Sequence, residues 1–378
     1  MGLPRCFAWS IGLAHARRPW QRVNDWSQYD ESDARVRPGR GSRPRSKTRP
    51  AHENALPGTV IAVDRGRYTV QMDNTASSNS TAQLAGTARA PGAVVMAVKA
   101  REVGRRGLVI GDAVAVVGDT SGTPDTLARV VRREERRNTL RRTADDDDPT
   151  ERVIVANVDQ LAIVTALADP EPNPRMIDRF LIAAFDAGMT PILVLTKADL
   201  ASADLLREQY EPLDVSVIET SVRREGGPEA DAGFREFRDR LQGLTTVLVG
   251  SSGVGKSTLV NALVPTAKRA VGVVNDVTGR GRHTSSSAIR YEVPTGGLII
   301  DTPGIRSFGL AHVNVENFIN AFPDVAAAAQ EFCPRGCFHE SAELGCELDI
   351  WADGSPNRQA RVESIRRLLA ARAAADSY

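Results

Sequence analysis

The stretch TTVLVGSSGVGKSTLV, residues 245 to 260, decides the fold. A short apolar run rich in β-branched residues gives way to a glycine-punctuated turn, and a helical segment begins near Lys256. From Gly250 to Ser257 the residues fit G-x-x-x-x-G-K-S, and between a strand and a helix that pattern is a phosphate loop. Gly250, Gly253 and Gly255 allow backbone N–H groups to close around phosphate oxygens, with Ser251, Ser252, Val254 and Thr258 completing the expected nucleotide contacts. Lys256 is expected to reach the β and γ phosphates, which makes it a catalytic candidate, and the Ser257 hydroxyl to ligate magnesium.

Strands and helices alternate on both sides of this loop. QLAIVTAL, PILVLT, VSVIETS and GLIIDT read as buried strands, while RMIDRFLIAAFDAG and FREFRDRLQG carry helical patterns. In the first helix Met176, Ile177, Phe180, Leu181 and Ala184 share one face. Alternation of this kind predicts a doubly wound α/β sheet with helices on both faces, and ligands bind such sheets at the carboxyl ends of their strands. Two strand ends carry informative residues. GLII is followed by DTPG, so Asp301 is placed to hold magnesium and the Gly304 N–H to face the γ phosphate. PILVL is followed by TKAD, Thr196 to Asp199. A carboxylate at Asp199 can accept from guanine N1–H and from its exocyclic amine while the Lys197 stem lies along the base and Ala198 spaces the two. Adenine has neither donor and would leave the carboxylate unpaired, a loss that such sites punish heavily. The nucleotide is therefore expected to be GTP or GDP. Thr220 and Ser221, at the end of VSVIETS, form the companion loop, with a backbone N–H for guanine O6. A P-loop kinase or other ATPase is the rival that Asp199 disfavours. A nucleotide-gated RNA-binding scaffold with incidental hydrolysis is the rival from a different class.

The order of these motifs is unusual, because the guanine readers precede the phosphate loop, which precedes GRGRHTSSS and then DTPG. Cutting a GTPase between strands and rejoining its old ends keeps the sheet and the site while permuting the chain, and it sets the loops that sense magnesium directly before a new C-terminal region. With ANVDQ and NPRMIDRFL, an all-β unit ahead and a Cys/His cluster behind, the chain from about residue 56 resembles the circularly permuted ribosome small-subunit-dependent GTPase A family. The resemblance implies a cytoplasmic GTPase that binds the 30S subunit late in its maturation, with the barrel touching 16S rRNA, GTP and GDP as ligands, a monomeric state and no membrane. Thr196 stands where GTPases in general carry Asn. Ile305, where many GTPases carry a water-orienting glutamine, has no hydrogen-bonding group, so the expected catalytic set is His283 and Thr284 of the GRGRHT loop with Lys256, Thr284 also contacting magnesium.

Composition sets the remaining bounds. A chain of 378 residues exceeds what one core usually serves. No apolar stretch approaches the roughly 20 residues a bilayer span needs, and the opening MGLPRCFAWSIGLAHA, broken by Trp9, Ser10 and Gly12, is a poor secretory signal. Residues 1–54 read as a disordered basic arm, and Cys6 within it has no assigned role. GTVIAVDRGRYTVQM, GAVVMAVKA and GDAVAVVGD describe a small all-β barrel over 55–135, of the oligonucleotide-binding or the SH3-like kind. The run RVVRREERRNTLRR, followed by DDDD, reads as a solvated loop or a nucleic-acid contact. The permuted GTPase is expected over 150–312 and a helical tail over 313–378 that ends in a helix with a basic face. In that tail Cys333, Cys337, His339 and Cys346 form the ligand pattern of one structural zinc, although three residues between the first two cysteines is one fewer than the resembled family's spacing.

Overall fold

The β-branched runs after residue 55 do form a barrel. The computed structural model describes residues 52–64, 66–73, 92–104, 107–123, 126–145, 148–267, 288–302, 310 and 313–375, with the backbone alone at 142–145, 148–151 and 374–375. The expected basic arm up to residue 51 lies outside these residues. Strand β1 (Leu56–Asp64) pairs antiparallel with β2 (Arg67–Met72) and with β4 (Ala113–Gly118), and β2 pairs antiparallel with β3 (Val94–Lys99). Strand β3 runs parallel to β5 (Ala128–Arg133), which returns antiparallel to β4 and closes the circle. That parallel β3–β5 pair selects the oligonucleotide-binding topology, because an SH3-like barrel closes through antiparallel neighbours. A register shift between Val60 and Ala62 bends β1 so that one strand serves both partners. Val60, Val70, Ala97 and Val130 fill the interior and are fully buried.

The basic run that follows is structural in part, contrary to its reading as a solvated loop. It ends β5 and enters a hairpin of β6 (Thr139–Asp145) and β7 (Asp148–Ala156). Arg136 grips the buried Asp112 with two bonds of 2.6 and 2.9 Å, and Arg137 pairs with Asp159 at 2.6 Å. Removing Asp112 from water costs free energy that the bidentate guanidinium offsets, so these arginines hold barrel, hairpin and sheet together.

Beyond the hairpin lie β8 (Gln160–Ala166), β9 (Thr190–Thr196), β10 (Ser216–Thr220), β11 (Thr245–Val249), β12 (Ile289–Glu292) and β13 (Leu298–Asp301). Their spatial order is β10-β9-β8-β11-β13-β12, parallel except for β12. The strand that feeds the phosphate loop, β11, is therefore central, although in sequence it comes fourth of the six. Alternate residues of these strands face opposite cores, as a pleated sheet covered on both sides requires. Leu161, Ile163, Leu193, Leu195, Val247 and Val249 pack with α1 (Pro174–Asp186) on one face. Ala162, Val164, Ile192, Val194 and Leu248 pack on the other with Phe234 and Phe237 of α3 (Ala232–Arg240) and with Leu259, Val260 and Leu263 of α4 (Lys256–Leu263). Beyond the sheet's edge, β12 meets the barrel at Ala62 and Ile289, and Gln71 bonds both Arg290 and Glu292.

The tail joins the α1 core. It comprises α5 (Val315–Asn320), α6 (Pro323–Phe332), α7 (Leu348–Ala352) and α8 (Pro356–Ala375), and α2 (Asp204–Tyr210) lies after β9. Phe185 of α1 packs edge-on against Phe318 and tilted against Phe322, with centroids 5.9 and 4.7 Å away. Because α1 lies between the sheet and these helices it buries Ile182, Ala183 and Phe185 as well as Ile177, Phe180, Leu181 and Ala184 of the expected face, with Met176 half-buried. The arginines of α8 do not form a free basic face. Arg361 bonds Asp324, Asp214 and the Pro212 carbonyl, Arg366 clasps Asp349, and Arg367 lies 3.6 Å from buried Asp178 and over the Tyr210 ring.

Candidate functional site

The phosphate loop forms where the glycines demand it. Gly250, Gly253 and Gly255 adopt φ of 145, 83 and 94°, a region that side-chain-bearing residues rarely enter. At Gly250 a Cβ would lie 2.1 Å from the Val164 carbonyl, so the loop can rest on β8 only with glycine there. Lys256, the first residue of α4, folds back so that Nζ donates to the carbonyls of Gly250 at 2.5 Å and Ser251 at 2.9 Å. Burial pushes its pKa down to about 8, against the pull of the Asp301 charge. An ammonium so desolvated and held by carbonyls is suited to a polyanion in the loop beside it. Asp301 ends β13, buried, in register with Leu248 two residues before the loop, and Thr302 Oγ1 locks the same strand end by donating to the Leu248 carbonyl at 2.7 Å. Ser257 and Asp301 offer the hard oxygen donors that magnesium takes.

The TKAD segment reaches this loop across 58 residues of chain. Thr196, the buried last residue of β9, donates from Oγ1 to the Val254 carbonyl at 2.5 Å and lies 3.3 Å from that of Thr165. A hydroxyl thus tethers the phosphate loop where an Asn was the commoner expectation. Lys197 takes a positive φ of 56° and its Nζ donates to the Asp169 carbonyl, with the Asp169 carboxylate 3.8 Å away. Ala198 N–H donates to the Thr220 carbonyl at 3.3 Å, which joins the ends of β9 and β10. Asp199 is exposed, and its Oδ1 accepts from Ser221 Oγ. That bond, followed by smaller effects including the nearby charges of Arg224 and Lys197, holds the carboxyl below the usual aspartate range.

The companion loop differs in one respect from the sequence reading. The Ser221 N–H donates to Asp231 Oδ2 at 2.6 Å, so it is already engaged, and the Thr220 side chain is buried. Val222, next along the loop, carries the N–H that remains a candidate for guanine O6. Asp231 and Asp169 escaped the sequence reading altogether. Asp231 is legible as the residue before a helix, but nothing in the sequence reveals that its second oxygen crosses to Ser221. His283, Thr284 and Gly304 lie outside the described residues, as does Ile305.

A second cluster lies in the tail. Ligand atoms of Cys333, Cys337, His339 and Cys346 all lie within 4.8 Å of one another, including Cys333 despite its shorter spacing. Cys346 Sγ is 4.0 Å from Cys333 Sγ and 3.9 Å from His339 Nδ1. A tetrahedral ion with metal–sulfur bonds of about 2.3 Å sets its sulfurs about 3.8 Å apart, so the donors fit such an ion closely. The segment reverses direction through His339, at φ 58°, and Cys333 leaves the end of α6. Burial raises the Cys333 thiol to about 11 and lowers His339, so without a cation these groups are neutral. A neutral imidazole is the form that binds metal, and a cation among the thiols would favour thiolate.

Residues 133–311, which hold β11, the phosphate loop and TKAD, match the model of the RsgA GTPase family. A small ribosomal subunit biogenesis GTPase RsgA of Pseudomonas putida is 38% identical over 231 residues, which is 60% of this chain and 65% of that protein. The chain thus spans a little under two thirds of the length of several curated relatives it matches. The protein of the same name from Chromohalobacter salexigens is 36% identical over 270 residues, 70% of this chain and 75% of its own. Among solved structures, YjeQ from Thermotoga maritima superposes with a TM-score of 0.57 at 22% identity, over 84% of this chain and 98% of that one. YloQ, described as a circularly permuted GTPase, gives 0.53 at 22% identity over 85% and 98%. The structures carry the fold alone, and the longer sequence match carries the kinship: this chain belongs to the RsgA GTPase family.

Proposed function

We propose that this chain is a GTP-hydrolysing factor for small ribosomal subunit biogenesis, acting on the 30S subunit. The observation that carries the proposal is the Asp199 carboxylate, fixed by Ser221 at the end of β9 while the neighbouring Thr196 is bonded to the phosphate loop. A base reader with two acceptor oxygens beside a phosphate loop selects guanine over adenine. The sequence relatives, small ribosomal subunit biogenesis GTPases, supply the biological setting.

In the proposed mechanism Lys256 exchanges the Gly250 and Ser251 carbonyls for the β and γ phosphates, and the loop N–H groups from Gly250 to Thr258 surround them. Ser257, Asp301 and Thr284 are the residues that would hold magnesium, which when bound would supply positive charge against the transferring phosphoryl group. The Gly304 N–H meets the γ phosphate. Ile305 cannot orient water, so His283 is assigned that role in the complex with the subunit. The three cysteines and His339 would hold one structural zinc, which when bound would stabilise the folded tail. The barrel contacts 16S rRNA, and the protein works as a cytoplasmic monomer.

The test is turnover of GTP and ATP with and without purified 30S subunits. GTP turnover is expected to be slow alone and strongly raised by the subunit, with His283→Ala losing the stimulated part and Asp199→Asn shifting preference toward xanthosine triphosphate. Equal competition by ATP defeats the guanine reading, and turnover that stays slow with subunits defeats the role proposed for them.

A further inference from the structure

We propose that Asp231 is a positioning residue for guanine selectivity, acting through Ser221 to aim the Asp199 carboxylate. The inference rests on Asp199 being the guanine reader and adds a residue eleven positions beyond the TS loop's Thr220. Both carboxylate oxygens of Asp231 are in use. Oδ1 accepts from the Phe234 N–H at 2.7 Å and caps α3, while Oδ2 accepts from the Ser221 N–H at 2.6 Å. A helix cap needs only the first of these bonds. The second fixes the backbone of the residue whose hydroxyl donates to Asp199 Oδ1.

The brace is rigid because its foundation is buried. Phe234 and Phe237 anchor α3 in the core, and a Cβ on Gly233 would lie 1.7 Å from the Glu219 carbonyl. The start of α3 therefore cannot slide along β10 without a clash or a cavity. Asp199 is exposed, and its carboxylate is held first by the Ser221 hydroxyl and then by its own backbone N–H. With one oxygen accepting from Ser221, the carboxylate is restrained, and with it the direction in which the exocyclic amine of guanine is met. Hypoxanthine keeps N1–H and O6 but lacks that amine. Preference for GDP over IDP thus reads the aim of Asp199 separately from phosphate binding and from any contact to O6.

Asp231→Asn isolates the brace, since asparagine caps helices about as well as aspartate but offers one acceptor for two N–H donors. Affinities of GDP and IDP, by displacement of a fluorescent nucleotide, are compared for wild type, Asp231→Asn, Ser221→Ala and the double variant. Each single variant is expected to lose about tenfold of the GDP over IDP preference, the worth of one bond to a charged group. The double variant should lose no more than Ser221→Ala alone, because the two residues act in series. Asp231→Ser, whose hydroxyl caps α3 but cannot serve both donors, is read in the same way and guards against poor folding of one variant. An unchanged preference in folded Asp231→Asn and Asp231→Ser, or losses that multiply in the double variant, overturns the inference. Asp199→Asn separates the two levels. If it abolishes the preference while the Asp231 variants keep it, only the brace fails, whereas if it leaves the preference intact the guanine reading itself is wrong.

Discussion

Replacing Thr196 with valine keeps a β-branched side chain at the end of β9 and removes one hydroxyl. That hydroxyl is buried and donates to the Val254 carbonyl at 2.5 Å, with the Thr165 carbonyl 3.3 Å away. Losing a buried hydrogen bond and stranding its acceptor costs about 1–3 kcal/mol. The lower part of that range applies, because the loop is open to solvent on its nucleotide side and the carbonyl can turn toward water. Val254 lies inside the phosphate loop, so disorder created there weakens the nucleotide-competent shape directly. A loss of about 1–2 kcal/mol corresponds to about fivefold to thirtyfold in affinity for GDP. Thr196→Ser keeps the donor and should stay near wild type, and Thr196→Asn, with an amide N–H that can serve the same carbonyl, should retain most of the affinity. Association and dissociation rates of a fluorescent GDP analogue, measured by stopped flow, give the affinities. If Thr196→Val binds GDP as tightly as Thr196→Ser, the bond to Val254 is not what organises the loop, and the account of how TKAD and the phosphate loop cooperate is wrong.

Two further outcomes follow from charge and metal. Lys256 has a pKa lowered by burial to about 8, while bound phosphates favour its ammonium, so the complex keeps a proton that the free protein sheds above that pH. GDP affinity should therefore be level between pH 7 and about 8 and fall as pH rises further, by at most about one decade per pH unit, with Lys256→Met flattening the profile in a calorimetric titration. Cys346→Ser, at a buried ligand of the tail cluster, should lose one bound zinc by metal analysis and lower the thermal midpoint. GDP affinity should stay near wild type, because the cluster packs against the α1 core and not against the phosphate loop.

The sequence by itself determined the glycine-rich loop between a strand and a helix and the order of the motifs around it. Gly250, Gly253 and Gly255 were legible because a phosphate loop needs backbone conformations that few other residues adopt. The cysteines were legible by spacing, since a metal gathers ligands that are close in the chain. Alternation of apolar runs with helical patterns gave the covered parallel sheet. What needed the tertiary structure were contacts between segments far apart in the chain. The parallel pairing of β3 with β5 decided the barrel, and runs of valine cannot encode which strand neighbours which. Arg136, Arg361 and Arg367 read as solvated charge until the fold brought Asp112, Asp214 and Asp178 to them. Asp231 was not singled out in the sequence, and only the approach of α3 to the end of β10 gave its second oxygen a partner. Local rules report which bonds a residue is able to make, but the partner is chosen by burial of the sheet's two faces, which no short stretch of sequence contains.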